Sequence, residues 1–533
     1  MVPPAAFTIS AIDVGILAVY VIGVRVFFGW LVSKRIRGGG SEGYFLGGRR
    51  LAWPLIGLSF YVSNMSGSTF VALPGSAYND GINAYNYEWM PAVILIVFAV
   101  VMLPLYLRNR VVTAPEYLEK RFDGRSRVMF SGFLLITNTF IDAAAALYAG
   151  ATVMKVLFPD VPLWATVVFA ALVAGIYILV GGLEAVVLND TVQAAVIFIG
   201  GAVISCMTLS KIPSWDAVRA AAPERAFHLG LPFDDPVMPW PGLITGVLVV
   251  GLYFWCTNQF MIQRALGARS LDHGRKGAIF AGFLKLPNLF ILILPGLMAT
   301  VLYPDLDRAD LVFPTLAFDL LPVGLRGLIL AALAAAILSS LESIYNSAST
   351  LFTFDFVARV RPGLSDVQLV RTGRWATIGV MVLSAAWAPQ ITRFPTLWQY
   401  LQSVLSYVTP PVAAVFLLGM LWRRATPTAA VVTFAIALPT ALGGWVVNEI
   451  AGVLAIQYLY ASGVMFAFSA ALMIGVSMVT RPVDSNRLEA TVWRPALWRA
   501  ESHELRGVPW YRNWRVEATL LLAAAAAIVV WWW

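Results

Sequence analysis

The stretch LIGLSFYVSNMSGSTFVALPGS at residues 55–76 is apolar at both ends and polar in the middle. Small polar residues and a glycine occupy the segment from Ser63 to Thr69. Such residues favour an interrupted helix inside a membrane, because small polar side chains can satisfy the backbone groups that a break leaves free. Unwound backbone presents carbonyl oxygens, which suit a hard cation such as Na+. A continuous helix that packs through its small residues is the alternative.

The composition places this stretch in a chain that is embedded in lipid. Of the 533 residues, 59% are hydrophobic and only 12% are charged, whereas about a quarter of the residues of a soluble domain are charged. The net charge of +8 lies in short blocks between apolar runs, which favours a lipid bilayer over nucleic acid as the partner. Cys206 and Cys256 fall inside apolar runs, so the sequence predicts no disulfide framework.

About fourteen apolar stretches are long enough to cross roughly 30 Å of hydrocarbon as helices. The predicted spans are 12–33, 51–73, 82–107, 128–156, 162–181, 186–210, 241–263, 277–302, 326–351, 372–392, 396–421, 428–448, 454–480 and 515–533. The N-terminus lacks a charged region followed by a cleavage site, so we expect the first span to be retained.

The connecting loops give an independent test of this list. The loops after spans 1, 3, 7, 9, 11 and 13 hold most of the 37 Lys and Arg residues. Arg264 and Arg275 are counted in the loop after span 7. Basic loops face the cytoplasm, so this alternation predicts a multi-pass protein of the inner (plasma) membrane with both termini outside.

Motifs for catalysis or ATP binding are missing from the sequence. It contains no GxxxxGK[ST] phosphate loop, and no GxSxG or HExxH. The three histidines, His228, His273 and His503, lie in predicted loops, whereas an intramembrane metalloenzyme needs histidine at membrane depth. The sequence therefore argues against an enzyme.

Charged residues inside the predicted spans are the strongest functional candidates, since each costs roughly 2.5–3.5 kcal/mol to insert. They are Glu88, Asp142, Asp190, Lys285 and Glu342. Lys285 could instead have a structural role and pair with one of the acids. Span 9 reads LAALAAAILSSLESIYNSASTLFTFD at residues 330–355, and its serine hydroxyls can serve as cation ligands on a helix that packs closely.

Collinear segments between residues 44 and 425 resemble a known family, the sodium:solute symporters, and within it the sodium/glucose cotransporters. The most characteristic are YFLGGRRLAWPLIGLSFYVSNMSGSTFVALPGSAY, GGLEAVVLNDTVQ, FWCTNQFMIQRALGARSL and SSLESIYNSASTLFTFD. The resemblance implies an all-α, polytopic LeuT-type fold with two inverted five-helix repeats, in which the first helix of each repeat is broken. The repeats would be 51–210 and 211–425, between an extra helix and loop at 1–50 and three helices at 426–533.

The resemblance also implies a sodium site and a solute site. The implied sodium ligands are the backbone of Val62 and Met65, the carbonyl of Ala336 and the hydroxyls of Ser339 and Ser340. The implied solute-contacting residues are Asn64, Thr69, Glu88, Gly251, Phe254, Trp255, Lys285 and Gln402.

Several positions depart from the pattern of the sugar-carrying members. Thr69 and Gly251 stand where larger side chains are usual, Phe254 replaces a tyrosine, and Pro91 lies close to the site. These departures leave the identity of the sugar open.

A second sodium site is implied at Asp190 and Ser343, where Glu342 replaces a hydroxyl residue. That carboxylate could strengthen a second cation site, carry a proton or face elsewhere, so the number of sodium ions stays open, as does the oligomeric state.

The resulting functional expectation is sodium-coupled import of a sugar, such as glucose or galactose, by alternating access. One alternative is the same machinery for a non-sugar solute such as an organic acid or a vitamin, whose carboxylate could pair with Lys285. A second alternative is a sensor that binds sugar and sodium without transport.

Overall fold

The structure is a computed structural model that describes residues 10–24, 47–157, 160–178, 183–394 and 396–533. The described residues form helices and no strand. In chain order the helices are α1 Ala11–Ala18, α2 Trp53–Asn64, α3 Gly67–Asp80, α4 Ile82–Arg108, α5 Ala114–Arg121, α6 Gly124–Lys155, α7 Leu163–Ile178, α8 Leu183–Lys211, α9 Trp215–Ala221, α10 Leu243–Cys256, α11 Gln259–Leu266, α12 Leu271–Leu302, α13 Val312–Leu320, α14 Leu325–Val360, α15 Asp366–Trp387, α16 Leu397–Val408, α17 Pro410–Leu421, α18 Pro427–Ile450, α19 Tyr458–Val479, α20 Ser485–Thr491, α21 Pro495–Glu504 and α22 Trp514–Trp532.

Eight of the described helices are long and apolar enough to cross a membrane. Two bent pairs raise the number to ten: α10 and α11 meet at 51°, and α16 and α17 meet at 46°. The predicted total of fourteen is therefore not confirmed. Residues 25–33 of the first predicted span, and Lys34, Arg35 and Arg37 after it, lie outside the described residues.

The helix predicted to be interrupted is broken between α2 and α3. Met65 leaves the helical conformation with φ −76° and ψ 58°, and Ser66 is extended. The Ser66 hydroxyl accepts a hydrogen bond from the Thr69 amide at 3.2 Å and caps α3, a role that serine performs well because its oxygen replaces a missing carbonyl. The Thr69 hydroxyl donates to the Asn64 carbonyl at 2.7 Å. The prediction of an interrupted helix is confirmed.

The corresponding helix of the second predicted repeat is broken as well. Thr257 and Asn258 separate α10 from α11, and the Asn258 side chain accepts a hydrogen bond from the Phe260 amide at 3.4 Å. Both breaks therefore end in a short polar residue that caps the following half-helix.

The short helix α1 caps the helix that carries the predicted sodium hydroxyls. Asp13 is buried, and its Oδ1 accepts hydrogen bonds from the amides of Gly324 at 2.7 Å and Gly327 at 2.8 Å. These amides belong to the N-terminal turn of α14, whose dipole also favours a carboxylate. The extra helix thus fixes the start of α14.

Asp13→Ala should lower the stability of the protein by roughly 1–2 kcal/mol, because two amides of α14 lose their acceptor. Thermal unfolding of the purified protein in detergent measures this. Asp13→Asn keeps an oxygen acceptor and should lose less. Equal melting temperatures for Asp13→Ala and the wild type would contradict the capping role.

Three arginines that were counted as inner-loop charges are buried: Arg121, Arg264 and Arg275. Arg264 lies on α11 with 1% of its surface exposed, and Arg275 lies on α12 with 5% exposed. Arg275 donates to the Ala99 carbonyl at 2.9 Å and pairs with Glu501. The count of basic residues in the inner loops therefore included arginines that have partners inside the fold.

Candidate functional site

A cavity, called the central cavity here, opens beside the break between α2 and α3. Its wall combines residues of α2, α3, α4, α6, α10, α11, α14 and α16. Every predicted solute-contacting residue except Lys285 lines it, namely Asn64, Thr69, Glu88, Gly251, Phe254, Trp255 and Gln402. The structure thus brings together side chains that are more than 300 residues apart in the sequence.

Lys285 lies behind the cavity wall rather than in it. Its ammonium group is fully buried, pairs with Glu88 and donates to Asn64 Oδ1. The amide of Asn288 also donates to Glu88. Lys285 therefore holds two cavity-lining groups in place, which is the structural role that the sequence left open for it.

Two carboxylates face the central cavity. Glu88 stands in the first turn of its α-helical segment, and Asp142 lies on a π-helical turn within α6. Asn258, at the second helix break, hydrogen-bonds Asp142. Among the described residues that line the cavity there is no lysine or arginine. The described wall of the central cavity therefore holds two carboxylates, one of which, Glu88, is paired with Lys285.

Aromatic rings contribute to the apolar part of the same wall, beside aliphatic side chains. Phe254 and Trp255 contact each other edge to face at 5.5 Å between ring centroids. Tyr87 and Trp398 do the same at 4.8 Å. The sequence analysis missed these last two residues, although Trp398 lies one helical turn before Gln402 and Tyr87 lies directly before Glu88.

The predicted sodium ligands lie at the break between α2 and α3 and on α14. Val62 and Met65 are buried at the end of α2. Ser340 lines the cavity, and its hydroxyl donates to the Ala336 carbonyl at 2.8 Å. Gly67 allows α14 to approach, because a Cβ at this position would overlap the side chain of Ile337. The break and the hydroxyl-bearing part of α14 therefore lie against each other.

Gly67→Ala should weaken the response to sodium about tenfold, because an added methyl group pushes α14 away from the break by a fraction of an ångström and overpacking costs roughly 1–3 kcal/mol. The measurement is the sodium concentration that half-maximally stabilises the protein against heat. Gly379→Ala, on α15 with nothing within 4 Å of the added carbon, is the control. An unchanged sodium response in Gly67→Ala would contradict the close approach.

Two of the three residues predicted for a second sodium site, Asp190 and Ser343, contact Arg264. Asp190 accepts hydrogen bonds from Ser59 at 2.5 Å and from Ser339 at 2.6 Å. Arg264 lies 3.8 Å from Asp190 and donates to the Ser343 hydroxyl at 2.7 Å. Glu342 is buried one residue earlier on α14. Asp190 and Ser343 are thus connected through Arg264, a buried cation that the sequence pattern did not predict.

Comparison with known proteins gives a consistent result. The profile of the sodium:solute symporter family matches residues 44–436. Sodium/glucose cotransporter 4 of Danio rerio is 31% identical over 94% of this chain and 83% of its own length. Sodium/glucose cotransporter 1 of Oryctolagus cuniculus is 30% identical over 91% and 81%. Sodium/myo-inositol cotransporter 2 of Bos taurus is 31% identical over 91% and 79%.

Solved structures show the same fold. A Na+-coupled sialic acid symporter in its substrate-bound outward-open state superposes with a TM-score of 0.76, at 22% identity, over 89% of this chain and 99% of that one. A nucleobase-cation-symport-1 family transporter in a closed conformation superposes with a TM-score of 0.55, at 13% identity, over 85% and 99%. Both have the LeuT fold, which agrees with the two broken helices described above.

Proposed function

The chain belongs to the sodium:solute symporter family and is a sodium-coupled, multi-pass membrane symporter, not an enzyme, and from this we propose that its solute is a neutral sugar or polyol. A monosaccharide such as glucose or galactose, or a cyclic polyol, is the solute class that the central cavity suits best.

The charge of the cavity wall carries this proposal. Glu88 and Asp142 line the central cavity, and the ammonium group of Lys285, which does not line it, pairs with Glu88. A solute carboxylate about 4 Å from Asp142 would meet a repulsion of roughly 1–4 kcal/mol. An organic acid is therefore disfavoured, although it was an alternative left open by the sequence.

The remaining lining groups match a polyhydroxyl ligand. Asn64 and Gln402 carry amides that both donate and accept hydrogen bonds, and Gln402 Oε1 makes no hydrogen bond to the described protein. Trp255 and Trp398 supply apolar faces for the carbon atoms of a ring. Small-molecule sites commonly combine such apolar walls with a few convergent polar groups. Relatives named for glucose and for myo-inositol fit this class.

Sodium would bind between the break and α14. Its ligands in this proposal are the backbone oxygens of Val62, Met65 and Ala336 with the hydroxyls of Ser339 and Ser340, a set of oxygen donors that suits a hard cation. Sodium entry supplies about 2.3 kcal/mol per charge at 100 mV, and a tenfold gradient adds about 1.4 kcal/mol. One ion could then sustain a solute gradient of about 500-fold.

In the proposed cycle sodium and sugar bind from outside, the two five-helix halves at 51–210 and 211–425 move against each other, and both cargoes leave on the cytoplasmic side. In this proposal the protein lies in the inner (plasma) membrane with both termini outside, which is the orientation that the basic loops predict.

Solute selectivity tests the proposed substrate class. Binding of glucose, galactose, myo-inositol and glucuronate is measured by thermal stabilisation in sodium chloride and in choline chloride. We expect at least one neutral compound to stabilise the protein only in sodium, and glucuronate to have no effect. Asp142→Asn removes a carboxylate charge from the cavity wall. It should reduce the difference between the stabilisation by neutral compounds and the stabilisation by glucuronate. Stabilisation by glucuronate alone would contradict the proposal.

A further inference from the structure

Arg264 connects four helices beside the proposed sodium site. It belongs to α11, and its guanidinium donates to Ser59 of α2 at 2.9 Å and to Ser343 of α14 at 2.7 Å. It also pairs with Asp190 of α8 at 3.8 Å. A planar guanidinium with five donors can hold such a set of acceptors, whereas an ammonium group cannot hold all of them in fixed directions.

The network includes a proposed sodium ligand. Ser339 donates its hydroxyl hydrogen to Asp190 Oδ1 at 2.6 Å, while Ser59 donates to Asp190 Oδ2 at 2.5 Å. Because the hydrogen of Ser339 points to Asp190, its oxygen lone pairs remain for a cation. A cation on that oxygen would polarise the hydroxyl and strengthen its bond to Asp190, since hydrogen bonds in a chain reinforce each other.

The network also reaches the solute cavity. The guanidinium of Arg264 donates to the carbonyl of Phe260, one turn earlier on α11. Phe260 lines the central cavity and contacts Phe254 at 5.7 Å between ring centroids. The half-helix α11 is only eight residues long and follows the break at Asn258. Its position therefore depends on the contacts that its side chains make with neighbouring helices.

We propose that Arg264 is a positioning residue that couples sodium binding to the closure of α11 against α2, α8 and α14. The proposal rests on the proposed sodium site at Ser339. Sodium strengthens the contact from Ser339 to Asp190, Asp190 holds Arg264, and Arg264 holds α11 closed over the cavity. When sodium leaves, this chain of bonds weakens and α11 is released.

Cysteine labelling of α11 tests the proposal without requiring transport. Ala265 is fully buried on α11, so Ala265→Cys reports on opening of this half-helix. Cys206 is exposed and is removed as Cys206→Ser, and Cys256 is buried. The detergent-solubilised protein is treated with a maleimide in sodium chloride or choline chloride. We expect sodium to slow labelling about tenfold, which corresponds to a tenfold fall in the population in which α11 is open.

Arg264→Met in this background should label rapidly with or without sodium, with less than about a twofold difference. Arg264→Lys should restore part of the protection. Asp190→Asn loses the charge and one of the two acceptor oxygens, because the amide nitrogen of asparagine donates, and its sodium effect on labelling should fall between those of wild type and Arg264→Met. This variant tests the same network if Arg264→Met does not fold. Arg275→Met removes another buried arginine whose partners are Ala99 and Glu501 and should keep the sodium effect.

Sodium-induced thermal stabilisation of the same samples tests the proposed sodium site separately from the proposed coupling through Arg264. If sodium stabilises the protein but labelling of Ala265→Cys is the same with and without sodium, the coupling through Arg264 is wrong while the sodium site stands. If sodium neither stabilises nor protects, the proposed sodium site itself fails. Full protection in both Arg264→Met and Asp190→Asn would also overturn the role of Arg264.

Discussion

Ser340→Ala is expected to abolish sodium-driven accumulation of the solute at physiological sodium. The substitution removes one proposed ligand and the hydrogen bond to the Ala336 carbonyl, another proposed ligand. Losing an interaction with a charged group costs about 2 kcal/mol, which raises the half-saturating sodium concentration about 30-fold. Titration of sodium-dependent uptake in proteoliposomes measures this shift.

Thr350→Ala is the matched control for this substitution. Thr350 lies on the same helix, and its hydroxyl donates to the Asn346 carbonyl at 2.7 Å in the same geometry that Ser340 uses. It does not line the central cavity. Loss of sodium dependence in Thr350→Ala to the same extent as in Ser340→Ala would show that the effect is a general weakening of α14 and not the loss of a ligand.

Lys285→Met is expected to be the most destabilising of the single substitutions considered. It leaves the buried Glu88 carboxylate without its cation and Asn64 without a donor. Removing one partner of a buried ion pair costs about 3–5 kcal/mol. We expect a large fall in melting temperature together with loss of solute binding, because Asn64 and Glu88 both line the cavity.

A double substitution separates stability from recognition. Lys285→Met with Glu88→Gln removes both charges and should recover most of the lost stability, whereas solute binding should stay impaired because the wall has changed. Lys276→Met is the control on the same helix, since Lys276 pairs with the half-exposed Asp272 and should cost less than about 1 kcal/mol. A double variant as unstable as Lys285→Met would contradict the ion-pair explanation.

The sequence predicted the helix break because its cause is local. Small polar residues from Ser63 to Thr69 cannot be explained by lipid contact, and the cap that Ser66 gives to α3 uses an atom three residues from its partner. Of the eight solute-contacting residues that the family resemblance implied, seven line the central cavity. Trp398 and Tyr87 were missed because an aromatic residue in a membrane span has no distinctive local signal.

The sequence could not predict the position of the buried cations. Counting arginines by loop treats each one as exposed, yet Arg264 has a partner, Ser59, that is 205 residues away in the sequence. Lys285 was expected to contact the solute. The direction in which its side chain points depends on its contacts with Asn64 and Glu88, which lie on other helices. Such directions follow from packing, not from spacing along one helix.

The most direct test of the account is uptake of labelled glucose, galactose and myo-inositol into proteoliposomes that contain the purified protein. It is run with an inward sodium gradient, with equal sodium on both sides and with choline in place of sodium. We expect one of these neutral solutes to accumulate above its external concentration only with the sodium gradient. Sodium-dependent binding of a sugar without accumulation would identify a sensor instead, and accumulation that is unaffected by replacing sodium with choline would contradict sodium coupling.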